Sequence, residues 1–227
     1  MNPSAPALFP MFVKLAGRRC VVVGGGPVAE SKIESLLRTG AQVTVVSPAL
    51  TDRLERMERQ DLFGWARGRF EPSHLDGAYL VIAATSHDAT NEAVYREADR
   101  RGILCNAVDE PRRCHFYFPA VVQRGALQVA ISTAGLSPSL AQRLRKDLEA
   151  QFGPEYGEWL VWLGKVREAL MARNVSFATR RRLLAHLASR ESLEHWRESK
   201  RRQPELRAAG GGARGIWWVP GRAIQSC

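Results

Sequence analysis

In the stretch VVVGGGPVAESK, residues 21–32, three valines run into three glycines and a helix-forming segment follows at once. Gly24, Gly26 and Ala29 have the spacing G-x-G-x-x-G/A between a buried strand and a helix. That spacing suits a pyrophosphate. The first glycine makes a tight turn, the second lets backbone approach the phosphates, and a small third residue lets helix and strand pack closely. The phosphates then sit on the positive N-terminus of the helix, with Pro27 and Val28 in its opening turn. A dinucleotide is the ligand this context implies, rather than a merely tight turn. A ribose-binding Asp or Glu is expected ~20 residues further on. Here the second strand ends in Ser47-Pro48-Ala49 instead. Ser47 can still give or take one hydrogen bond, and no arginine adjoins it in sequence to claim a 2′-phosphate. NAD is therefore expected in preference to NADP, with Ser47, Pro48 and Ala49 beside it.

These residues need an alternating frame, and the first half of the chain supplies one. RCVVVGG reads as a buried strand, residues 29–39 as a helix closed by Gly40, and AQVTVVSP as a second strand stopped by Pro48. LTDRLERMERQ reads as a helix and LFGWARGRF as a short strand. AYLVIAAT is apolar on both faces, as a central parallel strand requires. DATNEAVYREADRRG reads as a helix and ILCNAV as the next strand. Strands alternating with helices imply an α/β fold with a parallel sheet and right-handed crossovers. After FYFPA the pattern changes: ALQVAIST is one further strand and SPSLAQRLRKDLEAQF a helix. From Pro154 onward only helices are expected, with Tyr156, Trp159, Leu160, Leu163, Val166 and Leu170 forming one apolar face. A tryptophan stripe of this kind is packing rather than a cofactor box.

At 227 residues, 45% hydrophobic and 25% charged, the chain reads as a soluble globular protein. No apolar run approaches the ~20 residues needed to span a bilayer. The start, MNPSAPALFPMF, lacks the basic and apolar regions of a secretory signal, so the cytoplasm is expected. Four cysteines without a C-x-x-C pair argue against a zinc site or a disulfide framework. The formal net charge of +10 is concentrated late: residues 143–227 carry 17 of the 33 Lys+Arg but only 9 of the 23 Asp+Glu. Nucleic acid, an anionic membrane surface, a polyanionic small molecule or a solvated helical face each accommodate that excess.

Taken together, VVVGGGPVAESKIESLLRTGAQVTVVSP, LVIAATSHDATNEAV, CNAVDEP, FYFPAVV and VAISTAGLSPSLAQRLR resemble the siroheme synthase family, in particular its precorrin-2 dehydrogenase/sirohydrochlorin ferrochelatase module. The resemblance covers residues 9–205. It implies a Rossmann-type NAD domain over residues 1–118, a small dimerisation segment over 119–153 and an all-helical C-terminal domain over 154–208, before a Gly-rich tail at 209–227. It implies oxidation of precorrin-2 to sirohydrochlorin with NAD as hydride acceptor, insertion of ferrous iron in some members, and a homodimer. A tetrapyrrole with eight carboxylates suits the basic half without recourse to nucleic acid or a membrane.

The resemblance assigns the catalytic base to Asp109, after the CNAV strand; the alternative for Asp109 is a loop cap. Asn106 beside it suits either cofactor or substrate contact or a structural hydrogen bond, and His115 is close enough in sequence to assist. Thr85 and Ser86, after VIAA, are expected along the other edge of the cofactor. The serine that some members carry phosphorylated corresponds to Thr133, with Ser132 adjacent, and both are taken as substrate-side residues. Arg143 and Lys146, three apart on one helix, share a side and suit substrate carboxylates, whereas Arg145 points elsewhere. Longer members continue into a methyltransferase domain, of which the tail GIWWVPGRAIQSC resembles only the first strand. A non-catalytic NAD-sensing module is the rival reading, and a nucleic-acid binder a more distant one. Neither explains CNAVDEP and LSPSLAQRLR in one chain.

Overall fold

The computed structural model describes residues 7–208, so the Gly-rich tail expected from residue 209 lies outside the described residues. Strands β1 (Arg19–Val23), β2 (Gln42–Ser47), β3 (Gly64–Arg67), β4 (Leu80–Ala83) and β5 (Leu104–Ala107) form one sheet in the order β3-β2-β1-β4-β5. Every pairing is parallel, with Val23 level with both Val46 and Ala83, and Ala83 level with Ala107. Parallel strands in this order put every strand's carboxyl end on one edge, and the chain reverses its direction of winding between β1 and β4. The ends of β1, β2, β4 and β5 therefore present the Gly24 turn, the Ser47 turn, Thr85 and Asp109 along the same edge.

Both faces of the sheet are covered. Helix α1 (Pro27–Leu37) buries Ala29, Ile33 and Leu36 against Cys20, Val22, Val43, Val45 and Ile82. Helix α3 (Asp88–Arg101) buries Val94 and Ala98 against Val21, Val23, Val81 and Cys105 on the opposite face. Helix α1 begins two residues earlier than the sequence pattern indicates, because Pro27 has its φ already set for the first helical position. Helix α2 (Asp52–Glu58) is shorter than expected at both ends and starts on Thr51, whose hydroxyl accepts from the Leu54 amide.

The single strand expected at ALQVAIST is half of a pair. Strand β6 (Ala120–Arg124) precedes β7 (Leu127–Ile131), joined only through Gly125 and Ala126. So short a connection permits only antiparallel pairing. Four helices follow: α4 (Pro138–Gln151), α5 (Glu155–Met171), α6 (Phe177–Leu187) and α7 (Arg190–Ala208).

The chain divides into two compact units. The first contains the sheet, up to Ala120, together with Ser132–Ala141; the second contains Val121–Ile131 and the chain from Gln142 onward. The segment 119–153 is thus shared between them. In the second unit part of the expected apolar face is core: Trp159 is buried with Leu193 and Trp196, and Tyr156, Trp162 and Leu163 pack on them, whereas Leu160, Val166 and Leu170 are half-buried outside this cluster. Arg124 donates from Nε to the Phe152 carbonyl at 2.7 Å and from Nη2 to the Glu149 carbonyl at 3.2 Å. It thereby ties the strand pair to the carbonyl end of α4, where a cation is favoured. No described helix is long and apolar enough to cross a membrane.

Candidate functional site: a nucleotide cradle and an uncommitted carboxylate

The glycine turn is shaped from behind and open in front. Gly24 adopts φ +126°, and a Cβ there would lie 2.3 Å from the Ala84 carbonyl oxygen. Gly25, which sequence spacing alone leaves as an x position, is equally constrained: a Cβ would lie 2.2 Å from the Ala49 carbonyl oxygen. Gly26 differs, since a Cβ there meets nothing within 4 Å. It is the cap residue of α1 and supplies no side-chain hydrogen bond. The first intrahelical bond runs from the Glu30 amide to the Gly26 carbonyl, so the Val28 and Ala29 amides precede the ladder. Bare amides at a positive helix end, with clear space over Gly26, fit a pyrophosphate.

Around this turn several expected contacts are occupied by the protein itself. Ser47 is buried and donates to the Ala49 carbonyl at 2.6 Å, which shapes the turn beneath Gly25 and leaves the hydroxyl only its lone pairs to offer. Pro48 and Ala49 are exposed beside it. No arginine adjoins Ser47 in sequence, but the β2–β3 register places Arg67 level with it. The Arg67 guanidinium lies over the Trp65 ring, 5.4 Å from the centroid. After β4, Thr85 is fastened to Asn91: its hydroxyl donates to Asn91 Oδ1 at 2.8 Å, and Asn91 Nδ2 donates to the Thr85 carbonyl at 3.0 Å. Asn91 went unnoticed in sequence because its partner lies across a helix cap. Ser86 is exposed, its Oγ 3.3 Å from His87 Nδ1.

Asp109 follows β5 in a turn closed by the Glu110 amide on the Ala107 carbonyl. It is exposed and has φ +64°, a left-handed conformation that Asp tolerates better than most residues. Among the described residues its carboxylate has no hydrogen-bond or ion-pair partner. Its charge is felt by Lys32 on α1. Asn106 is 6% exposed, and its Nδ2 donates to the Phe116 carbonyl at 2.8 Å and to Cys114 Sγ at 3.3 Å, so it staples the loop that carries Asp109. His115 is turned toward α3: its Nε2 lies 3.2 Å from Asp99 Oδ1, its ring packs on Tyr95 at 5.5 Å, and its Nδ1 lies 3.1 Å from the Cys105 amide. Among the described residues neither Asn106 nor His115 forms a hydrogen bond or ion pair with Asp109.

Thr133 and Ser132 close the turn before α4. The Thr133 hydroxyl donates to the Ser137 carbonyl at 3.1 Å, and Ser132 Oγ accepts from the Ala134 amide at 3.1 Å. Arg143 and Lys146 are exposed on α4 and form no ion pair among the described residues, whereas Arg145 is bound to Glu149 at 2.6 Å. No group of three or more His, Cys, Asp or Glu is placed to hold a metal ion among the described residues.

Strand order, glycine turn and open helix end define the first unit as a Rossmann-type NAD(P)-binding module. Residues 11–120 match the family model described as "Putative NAD(P)-binding", and residues 124–151 match "Sirohaem biosynthesis protein central". The chain is similar in sequence to siroheme synthases. It is 40% identical over 184 residues to siroheme synthase 1 of Aeromonas salmonicida (strain A449), covering 81% of this chain and 39% of the relative. It is 43% identical over 172 residues to the siroheme synthase of Photorhabdus laumondii subsp. laumondii, covering 76% of this chain and 37% of the relative. The chain thus spans well under half the length of these curated relatives. Among solved structures it is similar to "SirC, precorrin-2 dehydrogenase", with a TM-score of 0.75 and 26% identity, covering 88% of this chain and all of that one.

Proposed function

We propose that the chain is an NAD-dependent precorrin-2 dehydrogenase that oxidises precorrin-2 to sirohydrochlorin in siroheme biosynthesis, in the cytoplasm. The observation that carries this reading is the uncommitted Asp109 carboxylate on the same sheet edge as the open pyrophosphate cradle. Similarity along the full length of a protein named precorrin-2 dehydrogenase supports it.

Aromatising the reduced macrocycle removes one hydride and one proton. NAD, when bound, supplies the hydride acceptor. Gly26 and the Val28 and Ala29 amides hold its pyrophosphate, and the Ser47-Pro48-Ala49 turn and Thr85–Ser86 flank it. The Asp109 carboxylate takes the proton, and with no hydrogen-bond partner among the described residues both its oxygens are able to accept it. Ferrous iron insertion into sirohydrochlorin releases two pyrrole N–H protons, and the same carboxylate suits taking them in turn and passing each to solvent, so this is the second activity we propose for the site, with iron as substrate. Ultraviolet–visible spectra of the purified chain with precorrin-2 and NAD, then with ferrous iron, test both steps. Absence of NADH and sirohydrochlorin formation rules out the dehydrogenase.

Arg143 and Lys146 bind carboxylates of the tetrapyrrole. That neither forms an ion pair among the described residues supports this role, as does the basic composition around them. Reversing both charges (Arg143→Glu with Lys146→Glu) raises the Michaelis constant for precorrin-2 and leaves NAD affinity unchanged. The defect deepens at low salt, where repulsion is least screened. Steady-state kinetics at two ionic strengths checks this, and an unchanged constant at both assigns these residues to a solvated surface.

The chain acts as a homodimer through the segment 119–153. A two-stranded sheet is marginal alone, and its strand edges invite pairing or cover. Light scattering under dilute native conditions is expected at twice the chain mass; the monomer mass would contradict this.

A further inference from the structure

Lys32 lies on α1 four residues after Val28, hence on the same helix face, and is half-buried. Its ammonium sits 3.9 Å from the centroid of the Phe118 ring. Phe118 is 38% exposed and stands edge-on to Phe116, with centroids 5.4 Å apart. Among the described residues no carboxylate is within ion-pair distance of Lys32, although the first unit has many exposed acids. A partly desolvated cation normally acquires such a partner, because burial without one is costly. Here burial pushes the ammonium below the usual lysine range, and the charge of Asp109 opposes that shift without closing a pair. The aromatic face offsets part of the cost by a cation–π contact. An ammonium, an exposed aromatic ring and a free carboxylate thus share one neighbourhood at the end of β5.

We propose that Lys32 and Phe118 form a substrate subsite, in which the Lys32 ammonium binds a peripheral carboxylate of the tetrapyrrole while Phe118 packs against its carbon frame beside Asp109. This rests on the dehydrogenase reading above. Lys32 is a positioning residue: it fixes where the macrocycle lies relative to Asp109 and takes no proton itself. The pyrophosphate is held one turn nearer the helix start, so loss of Lys32 acts on tetrapyrrole and not on NAD.

The test uses the full chain and the variants Lys32→Met, Lys32→Arg and Phe118→Leu, each checked for folding by circular dichroism. Lys32→Met keeps most of the apolar stem and removes the charge. The probes are sirohydrochlorin, titrated by quenching of intrinsic fluorescence without NAD, and precorrin-2 in steady-state kinetics with NAD. Lys32→Met is expected to weaken sirohydrochlorin binding and raise the precorrin-2 Michaelis constant about tenfold, the scale of one charge-assisted contact. Its kcat and NAD affinity stay within about twofold of wild type, and Lys32→Arg recovers most of the loss, because the guanidinium keeps the charge. Phe118→Leu shows the same pattern at smaller size. Unchanged sirohydrochlorin affinity and Michaelis constant in folded Lys32→Met overturn the subsite. So does a fall in kcat at constant Michaelis constant, which would place Lys32 in the chemical step. A wild-type chain that neither binds sirohydrochlorin nor oxidises precorrin-2 overturns the dehydrogenase reading and this subsite together. Normal wild-type turnover with an indifferent Lys32→Met overturns the subsite alone.

Discussion

Asp109→Asn lowers kcat for precorrin-2 oxidation by about 100-fold or more, the range for loss of a positioned base, while NAD affinity barely changes. Asparagine is the decisive replacement because the position demands two different things. The backbone sits at φ +64°, which Asn accommodates as readily as Asp. The side chain keeps its shape but loses its capacity to take a proton. If Asp109 were chosen only for the turn, Asn would preserve activity. A capping role is also poorly served here: a cap must accept an N–H, and the Asp109 carboxylate accepts none among the described residues. Asp109→Ala removes the carboxylate as well and adds a cost in left-handed conformation, so it should be at least as inactive and somewhat less stable. Steady-state kinetics of both variants, with NAD titrations alongside, check this. Near-native turnover in Asp109→Asn would remove Asp109 from the chemistry.

What the sequence disclosed was whatever depends on neighbours along the chain. The strand–glycine–helix turn at residues 21–32 is local, and so is the alternation that yields the parallel sheet. The pair β6–β7 escaped because Pro119 ends one pattern and Gly125 with Ala126 turns the chain before five residues have shown any alternation. Side-chain contacts, by contrast, depend on groups distant along the chain. Asn106 and His115 sit beside Asp109 in sequence, yet one is drawn to the Phe116 carbonyl and the other to Asp99 on α3. Ser47 is turned inward by a carbonyl two residues on. Arg67 comes level with Ser47 only through strand pairing. Lys32 gave no sign beyond its spacing from Val28, because the Phe118 ring that it faces reaches it only through the fold.

Gly26→Asp reduces NAD affinity by at least about 100-fold, or roughly 2.8 kcal/mol, in a chain that remains folded. Both halves of that expectation follow from the differences among three adjacent glycines. At Gly24 and Gly25 any side chain collides with backbone behind the turn, the Ala84 and Ala49 carbonyls respectively. Substitutions there distort the junction of β1, β2 and β4 and lose binding by losing structure. At Gly26 the added carbon enters open space, and the backbone, at φ −89°, suits any residue. Aspartate is moreover a favoured helix N-cap, so its carboxylate would accept the amides that otherwise wait for an anion. The variant thus opposes the cofactor in three ways: it fills the approach, it adds a negative charge, and it satisfies the helix end internally. Gly26→Ala adds volume alone and is expected to lose less. Calorimetric titration of NAD against both variants, with thermal melts beside Gly24→Ala, separates these effects. A folded Gly26→Asp that binds NAD as wild type does would mean the pyrophosphate is not held on α1.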